Sequence, residues 1–207
     1  MEELEKEVIN WLRSGRDDAK DIVDLPWNVR EIGPHRYLAE HPKMPFQLLL
    51  IFTEDFIRLV VPFGIETISL ETADRMKVYR ILLKLNDQIN LMKFVLSDVN
   101  DNVYLRVDLD RKTLGKEEFN DALTALLVGM LTGVSALGLE EEFQQELLDR
   151  IIGMILERLE KGASRDELMK FLTLKVGMTA EDAKSLLDEV FKARRSIEGN
   201  EGDVGYF

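Results

Sequence analysis

The chain has 207 residues, no cysteine, 39 acidic against 27 basic residues and a formal net charge of -12. The lack of cysteine excludes disulfide frameworks, thiol catalysis and the usual cysteine-containing zinc sites. The acidity excludes phosphate-backbone binding without a concentrated basic patch, and the sequence shows none.

The start, Met1 to Glu7, is acidic, where an export signal would be basic and then apolar, so a cytoplasmic location is expected. Leu4, Val8, Trp11 and Leu12 recur at helical spacing and predict an amphipathic helix over 2–13, ended by Ser14-Gly15. From Asp17 to Pro45, four prolines bracket Trp27–Ile32 and Arg36–Glu40, which read as short edge strands. The two histidines, His35 and His41, lie in the loops of this region without a helix-spaced ligand partner and read as polar surface.

Phe46–Phe52 and Phe56–Val61 flank a turn at Thr53-Glu54-Asp55 and predict a β-hairpin. With Thr53 facing Phe56, Leu48, Leu50, Phe52, Ile57, Leu59 and Val61 share one face, and Leu49, Ile51, Arg58 and Val60 share the other. That second face is also mostly apolar, unlike the solvated side of an ordinary two-sided sheet. A helix is expected over 72–88, then strands Leu91–Ser97 and Asn102–Asp108 in a second hairpin. Its turn, Asp98 to Asn102, resembles the first half of a calcium loop, but Val103 and Leu109 stand where a glycine and a bidentate glutamate are needed.

A long helix follows from Lys116 to Leu137, with Phe119, Leu123, Leu126, Met130 and Val134 on a core face. Ala122, Ala125, Gly129, Gly133 and Ala136 form a second stripe that lets another backbone come close. The uncharged run Ala122–Leu139 approaches the length of a membrane span. It carries Thr124, Thr132 and Ser135 and is flanked by Asp121 and Glu140, so it reads as a core helix. Past Gly138 no strand signal recurs: one helix ends at Gly162, and a helical hairpin over 164–176 and 179–195 is announced by the capping pattern Ser164 to Glu167, by Gly177 and by Thr179. The organisation expected is an α+β domain over 1–138, a helical region over 139–197 and a mobile tail over 198–207. The α+β domain is an antiparallel sheet of about five strands with helices on one face.

The segment Tyr79-Arg80-Ile81-Leu82-Leu83-Lys84-Leu85-Asn86-Asp87-Gln88-Ile89-Asn90-Leu91-Met92-Lys93-Phe94 takes a helix through an Asn-rich corner straight into a strand. With the strand Asn102–Leu109 and the helix 116–137, it resembles the type III secretion chaperone-like fold and its YbjN-like family, over about residues 1–138. The resemblance implies a small non-enzymatic module, often dimeric, that binds polypeptide segments or acts in regulation, and it supplies no catalytic residues. The helical part after Gly138 departs from the compact form of that family.

Phosphate-cradling glycine loops and a nucleophile elbow are missing, and no cofactor is expected. The expected function is therefore a protein-binding module, chaperone-like or a regulatory adaptor, with a polypeptide client and a second copy of itself as partners, and neither nucleic acid nor membrane. Its surface is expected to be Leu49, Ile51 and Val60, joined by Phe56, Val95 and Tyr104, with Gly129 and Gly133 as a second contact. The alternatives are a scaffold that docks through the C-terminal helical hairpin and a metal-dependent hydrolase using surface carboxylates.

Overall fold

The hairpins and their flanking strands join into one antiparallel sheet of six strands in the order β1-β2-β3-β4-β6-β5. The computed structural model describes residues 2–200. The strands are β1 (Asn28–Gly33), β2 (Arg36–Glu40), β3 (Gln47–Phe52), β4 (Phe56–Glu66), β5 (Lys93–Ser97) and β6 (Asn102–Asp110). The helices are α1 (Glu2–Arg13), α2 (Thr72–Gln88), α3 (Lys116–Leu137), α4 (Glu140–Glu160), α5 (Arg165–Lys170) and α6 (Ala180–Asn200). A π-helical segment, Phe171–Val176, continues α5. The chain divides into two compact units between Phe143 and Gln144. Helix α6 carries on to Asn200, so it takes up the start of the expected mobile tail, and 201–207 lie outside the described residues.

The antiparallel sheet with helices on one face is as expected, with six strands against about five. One expectation needs correction: of the two early strands only β1 is an edge, since β2 lies between β1 and β3 and pairs with both. On its core-facing side, Tyr37 and Ala39 of β2 stand opposite Leu50 and Leu48. The second edge is β5.

Alternation along β3, β4 and β6 buries Leu48, Leu50, Phe52, Ile57, Leu59, Val61, Val103, Leu105, Val107 and Leu109 against α1 and α3. Helix α3 is long and apolar enough to cross a membrane by length and composition. In this fold its Phe119, Leu123, Leu126 and Met130 are buried in the same core. The small-residue stripe is what brings α3 down onto the sheet. A methyl on Gly133 would sit 2.8 Å from Phe94 Cζ and 2.9 Å from Phe63, and a methyl on Gly129 would collide with the Met92 thioether and lie 2.9 Å from Leu105. Side chains from β4, β5 and β6 thus fill the space for which a second backbone was expected. Phe63 and Phe94 meet edge-on there, their ring centroids 5.3 Å apart.

Helix α1 is anchored through a buried carboxylate. The Tyr37 hydroxyl donates to Glu5 Oε1 at 2.6 Å, and His35 Nδ1 lies 2.9 Å from Glu5 Oε2. Burial pushes the Glu5 carboxyl up, but the hydrogen bonds of Tyr37 and His35 prevail and hold it below the ordinary glutamate value. The Tyr37 phenol is pushed up to about 12 by its bond to Glu5 and by burial. The histidines are therefore not plain surface: His35 pairs with Glu5, and His41 is buried beside Trp27, where its Nδ1 accepts the Lys43 N–H at 3.2 Å.

Both sheet edges are blunted by side chains. The Asn86 amide accepts the Phe94 N–H at 2.6 Å and donates to the Phe94 carbonyl at 3.1 Å, so α2 occupies β5 where another strand would pair. At the other edge Arg13 Nη2 donates to the Val29 carbonyl at 2.9 Å.

In the C-terminal unit, Ile155, Leu168, Leu172, Ala183 and Leu187 form a separate small core. Its turns follow the sequence. Ser164 and Glu167 make a reciprocal capping box, Gly177 takes a left-handed φ of 89°, and the Thr179 hydroxyl accepts the Asp182 N–H at 3.1 Å.

Gly133→Ala is expected to lower stability by about 1–3 kcal/mol, because the added methyl must displace two buried rings. A denaturant titration of the full chain measures it.

Candidate protein-binding surface

Strand register places the outward positions of the sheet in cross-strand rows. One row runs Arg30, Leu38, Leu49, Val60, Arg106, Lys93 across all six strands, and the next runs Arg36, Ile51, Arg58, Asp108. At about 4.8 Å between strands, the first row is roughly 24 Å wide. Its middle is aliphatic and its ends are cationic. Together the two rows hold five cations and one carboxylate, on a chain whose net charge is -12.

The carboxylate is the hub of the cationic end. Arg58 Nε donates to Asp108 Oδ1 at 2.7 Å, Arg106 Nε and Nη2 lie 2.8 and 2.7 Å from Oδ2, and Lys93 Nζ lies 3.8 Å from Oδ2. Only 15% of the Asp108 side chain is exposed. Burial pushes its carboxyl up, but the hydrogen bonds and charges of Arg106 and Arg58 prevail and hold it below the ordinary aspartate value. The guanidinium groups are thereby fixed in place with positive charge left over.

Of the residues expected to form this surface, Leu49 and Val60 are direct cross-strand partners, as are Val95 and Tyr104, and Ile51 faces Arg58. Phe56 lies opposite Asp110 at the end of β4 and is 45% exposed. Tyr104 is steadied by its hydroxyl, which donates to Asp98 Oδ2 at 3.2 Å. Its phenol is raised by burial and by that bond. The same Asp98 takes the Asn100 N–H and the Asn102 amide, so the calcium-like segment is a self-satisfied turn between β5 and β6. Gly129 and Gly133 do not join this group, because they are buried against the opposite, helix-covered face. Sequence reading missed Leu38 and the cationic cluster. Leu38 was hidden by the placement of β2 at an edge, and the cluster could have been found from the alternation of Tyr104, Arg106 and Asp108.

The other candidates are weaker. Among the described residues no group of three His, Asp or Glu side chains is placed to hold a metal ion. In the C-terminal unit, an apolar groove of about 530 Å³ between α4 and α6 is lined by Ile152, Leu156, Leu159, Leu186 and Val190 with Glu160 and Glu189. The first turn of α6 carries Glu181 and Asp182, which would repel a phosphate backbone.

The fold and this surface define an α+β module with one face of its sheet covered by helices and the other left apolar and cationic. Residues 7–137, well over half of the chain, match the domain family of unknown function DUF8183, and the chain belongs to that family. Residues 138–201 match a second family, HTH_78, also described as a domain of unknown function. Neither of these is the YbjN-like family. No curated protein matches the chain. Among solved structures, it is similar to a chain in the structure of the heterodimeric complex ExoU-SpcU from the type III secretion system of Pseudomonas aeruginosa. The identity is 18%, the TM-score is 0.38, and the match covers 52% of this chain and 81% of that one. At that level of likeness neither partner nor mechanism follows from it.

The Asp108 cluster makes a pH prediction. Because the folded carboxyl titrates below its unfolded value, the stability it contributes is fully present above the ordinary aspartate range and is lost as pH falls through the folded value. Asp108→Asn should therefore be less stable than wild type by about 1–2 kcal/mol at neutral pH. The gap should close in acid, as pH falls below the ordinary aspartate range and through the lowered folded value, as read from denaturant midpoints across pH.

Proposed function

We propose that this protein is a non-enzymatic protein-binding module, chaperone-like or an adaptor, whose outer sheet face takes an extended or helical polypeptide segment with apolar side chains at its centre and carboxylates at its margins. The observation that carries the reading is the pair of rows with Leu38, Leu49, Val60 and Ile51 in the middle and five cations around them. Burial of the aliphatic strip supplies the affinity, at roughly 25 cal/mol per Å². The cations supply orientation and choice of partner. Self-association through this face would set the cations of one copy against those of the other, so the occupant is a different, acidic segment.

A photo-crosslinking residue at Leu49, compared with one at Val99, which is 88% exposed on the β5–β6 turn, tests this in cells. Adducts at Leu49 are expected on segments that combine apolar and acidic residues. The same adducts at both positions, or basic segments, would sink the reading. A concentration-dependent dimer that Leu49→Asp abolishes would make a second copy the occupant.

A second reading, a scaffold docking through its C-terminal helices, is favoured by the groove between α4 and α6. Under it, Leu156→Asp abolishes partner capture and Leu49→Asp does not.

A further inference from the structure

Helix α2 buries one apolar face in the core and leaves two large apolar side chains exposed among charges on its other side. Leu82 and Leu85 are buried in the core, with Val78 and Ile81 packed beside them. On the opposite side Met76 is 61% and Leu83 68% exposed, one heptad apart. With Ala73, Arg80 and Asp87 they fall at alternating steps of three and four residues and line a trough of about 610 Å³ along the helix. Such spacing is the seam of a helix that pairs with another helix.

The charges decide which helix. Lys77, Arg80 and Lys84 lie along the trough against the single carboxylate of Asp87. Lys77 is already paired with Asp74 at 2.8 Å, while Arg80 and Lys84 make no ion pair among the described residues. Two copies of α2 would clash electrostatically however they were paired. Side by side and parallel, Arg80 meets Arg80 across the seam. Antiparallel, the flanking positions bring a lysine of one copy, Lys77 or Lys84, against a lysine of the other. A partner helix with leucines along its seam and glutamates beside it satisfies both the exposed aliphatic groups and the unpaired cations.

We infer that the outer face of α2 is a second docking site, separate from the sheet face, for an acidic amphipathic helix of another protein. The site is already formed: α2 is tied at its start by Arg75 Nη2, which donates to the Ile68 and Leu70 carbonyls, and near its end by the Asn86 clamp on Phe94. An incoming helix meets a backbone already ordered, so the cost on this side is confined to the exposed side chains.

The test uses the full chain and three synthetic peptides: a helix former with leucine at its seam and glutamate beside it, the same peptide with lysine for glutamate, and a scramble of the acidic one. Calorimetric titration is expected to show binding of the acidic helix, weakening with salt, with about a tenfold preference over the basic one. Leu83→Ser should weaken it about tenfold, and the double variant R80E/K84E should reverse the preference. In the Leu49→Asp background, which disables the proposed sheet-face site, the acidic helix should still bind and Leu83→Ser should still weaken it. Circular dichroism shows whether each variant keeps its fold, which substitutions at exposed positions should preserve. No binding of the acidic helix, equal binding of the scramble, or full binding by R80E/K84E would overturn the inference. Loss with Leu49→Asp but not with Leu83→Ser would assign the peptide to the sheet face and overturn it as well. A dimer in sedimentation equilibrium that Leu83→Ser dissolves would show that a second copy takes the site.

Discussion

The close approach of α3 to the sheet is the contact on which the N-terminal unit depends. Gly129 and Gly133 leave room for Met92, Leu105, Phe63 and Phe94, so the helix axis comes nearer to the strands than any side chain there would allow. Together with α1, that approach seals the inner face and buries the alternating set from β3, β4 and β6. Because side chains alternate across a strand, sealing one face commits the remaining positions outward. The apolar and cationic rows are thus the necessary counterpart of the core, and their order across the sheet is set by the same register.

The edges explain why the faces are the available surfaces. A sheet offers a partner either a free edge, which recruits a strand through its backbone, or a face, which recruits through side chains. Here Asn86 fills both hydrogen-bonding positions of Phe94 on one edge, and Arg13 takes the Val29 carbonyl on the other. Strand addition at either place must first displace a side chain already bonded. The outer face has no such guard, since none of its aliphatic groups gains anything from the helices packed on the other side.

Much of this was legible in the sequence because it is local. The hairpin register of β3 and β4 follows from a single assumption about Thr53 and Phe56, and it sorts Leu49, Ile51 and Val60 from Leu48, Leu50 and Phe52. The caps at Ser164, Gly177 and Thr179 depend on residues within a few positions of one another. What was not legible depends on partners far along the chain. The small-residue stripe of α3 shows that something must lie close, but only the packed structure reveals that aromatic rings from β4 and β5 fill the gap. Strand β2 lies between prolines and reads as an edge, although it pairs with β1 on one side and β3 on the other. His41 is buried for the same reason: the loop that carries it folds back over Trp27.

Charge shows the same limit from the other direction. A net charge of -12 describes how the molecule behaves at distances beyond the Debye length of about 8–10 Å, where it is simply an anion. A docked segment would feel the groups within that length, and on the outer sheet face these are five arginine and lysine side chains against the carboxylates of Asp108 and Glu40. The two scales act together. On the proposed reading, the long-range field slows the approach of an anionic partner, and the local rows would hold an acidic segment once it arrives. An anionic partner recognised this way must also carry apolar groups, because the charged contacts at a solvated rim contribute little by themselves. Under that proposal the lasting part of the contact would be the aliphatic strip of Leu38, Leu49, Val60 and Ile51, and the cations around it would choose which apolar segments are admitted.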